Sequence, residues 1–179
     1  MQNTNFVVEL TDNALDRENL ELVLTISNPF GLTWESVVPL DVHGVMLVAD
    51  HIQYLDNFEL NPGEIGDLVL HVHNQGSIPL EDATIELLPS GSLIDILQPY
   101  SSFGTINSNE NGQTSSLNPL SIFINGNTIN GSSLSLNTLI TSANGTSYNA
   151  VFSLQIGHVT VVDPLGPDEH GYYIYDSGD

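Results

Sequence analysis

The chain has 179 residues, enough for one domain with part of another, and 40% of them are apolar, enough for a packed core. One basic residue, Arg17, stands against 22 acidic ones, a net charge of −21 that argues against phosphate backbones and anionic membrane surfaces as partners. Cysteine is absent, which removes disulfides, thiolate metal sites and a cysteine nucleophile.

Charged residues make up only 13% of the chain, about half the usual share of roughly 25%, and Asn, Ser, Thr and Gly replace them. That composition suits short strands joined by polar turns. No run approaches the ~20 apolar residues of a membrane span, so no membrane insertion is expected. The first ten residues lack a basic and apolar leader. If the protein is secreted, the expectation is that its signal lies upstream of this stretch or that Met1 is not the natural start.

Asn5–Leu10 alternates as a strand, and a polar turn follows over Thr11–Asn19. Leu20–Ser27 places Leu20, Leu22, Leu24 and Ile26 on one face at period two, as a half-buried strand requires. Asn28-Pro29-Phe30-Gly31 supplies turn chemistry, and Trp34–His43 returns with Trp34, Val38, Leu40 and Val42 on one parity. Val45–Ala49 is a short apolar run. Asp56–Glu64 is an acidic loop closed by Pro62-Gly63. Gly66–Asn74 follows, with Leu68, Leu70 and Val72 on one face and Val69, His71 and His73 on the other. Asn74–Ser77 turns the chain. Ala83–Leu88, Leu93–Leu97, Phe103–Ile106 and Pro119–Asn125 read as further strands, with a polar loop at Asn107–Asn118. Leu134–Ile156 closes the series as a hairpin around Asn144-Gly145. No stretch carries a helical period.

The last hairpin has a twin. A shift of 114 residues places Gly145 on Gly31, Ile140 on Ile26, Tyr148 on Trp34, Leu154 on Leu40 and Ile156 on Val42 without a gap. Residues 5–48 map in this way onto 119–162. A period near 114 is close to the ~100 residues of an immunoglobulin-type sandwich, and about seven strands at regular spacing agree with it. The expected fold is therefore all-β: an immunoglobulin-like β-sandwich, one complete copy preceded by the C-terminal part of another copy. Residues 1–44 are expected to be the end of the first repeat, 45–158 the complete domain, and 159–179 a junction to a following domain. Half a sandwich exposes strand edges and an apolar face. The first copy is thus expected to be completed by more of a longer protein, or by a partner strand.

The series Leu60-Asn-Pro-Gly-Glu64, His73-Asn-Gln-Gly76, Phe103-Gly-Thr-Ile106 and the closing hairpin resembles a family of bacterial immunoglobulin-like modules. These accompany gingipain-type cysteine peptidases and other large secreted or cell-surface proteins. The resemblance spans roughly residues 45–157, and the tail from Val162 to Asp176 is similar to the junction such proteins use before their next domain. It implies a non-catalytic structural or spacer module, secreted or at the cell surface, whose partners are neighbouring domains of the same polypeptide. A protein or glycan surface is a further partner to consider; a calcium-dependent adhesin or glycan-binding module and a strand-exchanging fibre subunit are the alternatives.

No cofactor is expected, with calcium the one ion to consider. Asp56, Glu59, Glu64 and Asp67 are its candidate ligands, because Ca²⁺ takes six to eight oxygens. Phe58, Leu60 and Pro62 interrupt their spacing, which favours a solvated turn. The tail acids Asp163, Asp168, Glu169 and Asp176 follow no ligand spacing, and Tyr172, Tyr173 and Tyr175 suit either a linker anchor or sugar stacking. His71 and His73 share a strand face but lack a third zinc ligand at any recognisable spacing. No G-x-S-x-G elbow is present, so no catalytic residue is assigned. Asn130-Gly-Ser132 and Asn144-Gly-Thr146 match the N-glycosylation pattern, although turn geometry alone explains the second.

Overall fold

The computed structural model describes residues 7–9, 16–56 and 59–159, and these are built from strands alone. β1 (Asn19–Ser27) and β2 (Thr33–Asp41) form a two-stranded sheet of their own. The other nine strands are β3 (Leu47–Tyr54), β4 (Ile65–Asn74), β5 (Leu80–Leu88), β6 (Ile94–Gln98), β7 (Tyr100–Ile106), β8 (Asn111–Gln113), β9 (Leu120–Ile124), β10 (Ser132–Thr141) and β11 (Ser147–Ile156). They make two antiparallel sheets, ordered β11-β10-β5-β7 and β3-β4-β9-β6, with β8 added to β4. Taking β3, β4, β5, β6, β9, β10 and β11 as A to G, these are the ABED and GFC sheets of an immunoglobulin-type sandwich, with β7 added beside C.

Alternation explains the packing. Leu68, Leu70 and Val72 of β4, Leu120, Ile122 and Ile124 of β9, and Ile94 of β6 face inward from one sheet. Ile85 and Leu87 of β5, Leu136 and Ile140 of β10, and Phe152, Leu154 and Ile156 of β11 meet them from the other. Each fully buried Leu or Ile contributes about 1.5–3 kcal/mol of transfer free energy, so this core is what holds the sandwich together. Val69 is also buried, on the face assigned to His71 and His73.

Three expectations change. The loop expected at Asn107–Asn118 contains β8. Along β4, β3 flanks Leu68–Asn74 on one side, but on the other side β9 reaches only Ile65–Leu68, and β8 takes up that side at His71–His73. Thr114 bridges the gap, its Oγ1 accepting from Leu70 N (3.0 Å) and its N–H donating to Leu70 O (3.0 Å). Second, residues 45–158 carry nine strands rather than about seven. Besides β8, the chain crosses between sheets at Pro99, so that β6 pairs with β9 and β7 with β5. Third, of the strand expected over Asn5–Leu10 only Val7–Glu9 is described, and those residues are exposed and in no strand. Their counterpart under the 114-residue shift, within β9, lies between β4 and β6, and among the described residues the hairpin has no such sheet beside it.

Candidate interaction surface

The two hairpins repeat in backbone detail. Every pair from Asn19↔Asp41 to Ser27↔Thr33, moved by 114 residues, falls on a pair from Ser133↔Gln155 to Thr141↔Ser147. The turns match as well. Asn28 N donates to Leu32 O (3.0 Å) and Gly31 N to Asn28 O (3.1 Å), as Ser142 N does to Thr146 O (3.0 Å) and Gly145 N to Ser142 O (2.9 Å). Gly31 and Gly145 hold φ of 85° and 87°, a conformation open to glycine at little steric cost. At the far end Arg17 N bonds Val42 O (2.8 Å) and Gly131 N bonds Ile156 O (2.7 Å), and both donors have positive φ.

Their surroundings differ. Leu136, Ile140, Phe152 and Leu154 lie in the sandwich core, whereas the equivalent face of β1–β2 carries Leu22, Ile26, Val38 and Leu40 with no sheet over it among the described residues. Ile26 is 60% exposed, Trp34 54% and Phe30, at the turn, 90%. Burial is recovered only at the base, where Val42 is 5% exposed. An exposed apolar patch of this kind is a candidate interaction surface.

The base is held by a polar junction. Asp16 Oδ1 accepts from Gly44 N (2.7 Å) and from the hydroxyl of Ser77, and Nδ1 of His43 lies 3.0 Å from that hydroxyl. Ser77 N donates to Gly44 O (3.0 Å) and Gln75 N to Met46 O (2.8 Å). The Ser77 hydroxyl, with Arg17 and backbone donors, holds the Asp16 carboxyl below its ordinary value against the opposing effect of burial. Gly76 is required by closeness: a Cβ there would overlap Gly44 O and Met46 N and sit 2.7 Å from Val45 Cα. Asn74 anchors the turn from beneath. Its Nδ2 donates to Ile78 O (2.9 Å), Ile106 O (3.3 Å) and Asn107 O (3.3 Å), and its Oδ1 accepts from Gly76 N (3.0 Å) and Met46 N (3.3 Å). The sequence marks Asn74–Ser77 as a turn but gives no sign of this buried hub. Beside it, Val45, Pro79, Glu81, Asn144 and Tyr148 line a cleft of about 300 Å³, and burial pushes the Tyr148 phenol up.

The acidic candidates separate into local roles. Glu59 pairs with His158 (2.9 Å). Glu64 Oε2 accepts from Asn61 N (3.0 Å), closing the Pro62-Gly63 turn. Asp67 lies in β4 opposite Ser121, and Asp56 is exposed. Among the described residues no three His, Asp or Glu side chains are grouped to hold a metal ion. Asn57, Phe58 and the tail acids and tyrosines lie outside the described residues.

The histidines form a pair the sequence did not indicate. A bulge between Ala49 and Ile52 brings His51 of β3 onto His71, the rings stacked at 4.0 Å and 11°. Ring-plane lone pairs of parallel imidazoles do not converge on one ion. Nε2 of His71 lies 3.2 Å from Gln53 Oε1, and Nδ1 of His73 lies 2.7 Å from Asn111 Oδ1. Burial first, and the charge of His51 second, lower the His71 pKa, with Asp50 opposing. Asn144 Oδ1 accepts from Thr146 N (2.9 Å) and from the Ser142 hydroxyl, so this side chain is part of its turn.

No protein-family model matches the chain, and no curated protein matches it. Among solved structures it is similar to the ASH / PapD-like domain of human CEP192 (PapD-like domain 7). The identity is 12% and the TM-score 0.31, over 65% of this chain and 87% of that one.

Proposed function

We propose that this chain is a non-catalytic spacer module of a secreted or cell-surface multidomain bacterial protein. In this reading residues 45–158 are a complete immunoglobulin-like domain, residues 1–44 are the C-terminal part of a preceding one, and 159–179 lead to the next. The observation that carries it is the hairpin used twice with one register, once inside a core and once with apolar residues exposed. The function is mechanical. The junction of Asp16, Gly44, Gly76 and Ser77 fixes one module's end on the next, and a fixed angle is what a spacer supplies.

Backbone ¹⁵N relaxation on the whole chain tests this. Hairpin and sandwich should report one rotational correlation time, and the double variant Asp16→Ala/Ser77→Ala should shorten that of the hairpin. Independent tumbling in the wild-type chain would remove the spacer role, and turnover of a peptide or glycoside panel would remove the non-catalytic one.

A further inference from the structure

The β1–β2 hairpin has two unlike edges. The bonds from Asn28 N to Leu32 O and from Val42 N to Glu18 O, one at each end, make the even-numbered residues the pairs that bond across the hairpin. Antiparallel ladders alternate, so the odd-numbered residues direct their N–H and C=O groups outward. On β2 one of these is Pro39, which has no N–H and blunts that edge. On β1 the outward groups include those of Val23, Thr25 and Ser27, with no proline among them, and among the described residues β1 pairs with β2 alone.

The second hairpin shows what such an edge receives. β10 pairs through Asn137–Thr141 with Thr84–Leu88 of β5, and the 114-residue shift places that contact on Val23–Ser27. β11, the counterpart of β2, is the edge of its sheet. Both hairpins thus assign the same side to a further strand. We infer that Val23–Ser27 is an acceptor edge for an antiparallel strand with apolar residues at alternate positions, like Ala83, Ile85 and Leu87 of β5. The donor is an immunoglobulin-like half-module whose second sheet covers Leu22, Ile26, Trp34 and Val38. This inference rests on the repeat reading above. Two observations select this occupant over a second copy of the chain. It repeats, 114 residues earlier, the pairing that β10 already makes with β5 of an immunoglobulin-type sheet, and two chains of net charge −21 repel one another.

The test uses the whole chain and an end-capped synthetic peptide with the Leu80–Leu88 sequence, at high salt to screen charge repulsion. Trp34 is the sole tryptophan and sits on the open face, so its emission reports occupancy. Saturable binding below about 1 mM is expected, with amide protection at Val23, Thr25 and Ser27. Thr25→Pro deletes an outward N–H of β1 and leaves the β1–β2 ladder bonds in place. It should weaken binding at least about tenfold. Val37→Pro makes the same change on the blunted edge of β2 and should leave affinity within about twofold, which controls for damage to the hairpin. No binding, equal binding by Thr25→Pro, or equal loss in Val37→Pro would overturn the inference. Concentration-dependent oligomers of the chain without peptide would overturn it too, by making a second copy the occupant. The relaxation experiment is unaffected by these outcomes, so the spacer reading stands or falls separately.

Discussion

Asn74 shows how much one side chain decides here. It is fully buried and makes five side-chain hydrogen bonds, tying the linker at Met46 to the turn at Gly76 and to the end of β7. Asn74→Ala leaves those groups unsatisfied in a dry site, and a loss of about 2–4 kcal/mol is expected by chemical denaturation. Asp16 provides a different signature. Its folded pKa is depressed from an ordinary 3.8, so its contribution is complete above that value and is lost as pH falls through the lower folded value. The hairpin should therefore loosen on the sandwich only under strong acid, and Asp16→Asn should remove that pH dependence, read from the amide shifts of Gly44 and Ser77. Neither role was legible in the sequence. Asn-Gln-Gly-Ser reads as a turn locally, and what it clasps lies some thirty residues away in the linker.

At the level of elements, the sequence carried the hairpins well and the pairing between distant strands poorly. Period-two apolar positions and turn glycines are local, and they placed β1, β2, β10 and β11 with the right turns between them. β8 has only three residues with no apolar alternation, and it exists because β4 outruns β9. The stacking of His51 on His71 depends on a bulge in β3, which no local pattern announces. The same contrast predicts stability. A lone two-stranded hairpin is marginal in water, whereas β4 and β9 are buried in a sandwich. Hydrogen exchange should find β1–β2 amides opening at least about a thousandfold more readily than those of β4 and β9, though both ladders are fully formed. Comparable protection would mean that the hairpin face is covered.

Across the whole molecule, acidity and architecture prove to be separate matters. Among the described residues the acids lie in turns and on outward strand faces, and of the four considered for calcium Glu59 and Glu64 are engaged locally, while none of the four belongs to a group that could hold a metal ion. Stability should accordingly be indifferent to the ion, with the same melting temperature in EDTA and in millimolar Ca²⁺; a rise with Ca²⁺ would restore the calcium-binding alternative. What organises the chain is one hairpin built twice in one register. Cross-strand Hα–Hα nuclear Overhauser effects measure that register directly, because they are strong only between non-hydrogen-bonded antiparallel pairs. They are expected between Val23 and Val37 and, at the position 114 residues later, between Asn137 and Val151. Contacts displaced by one residue in either hairpin, or found at Leu24 and Ser36 instead, would contradict that register.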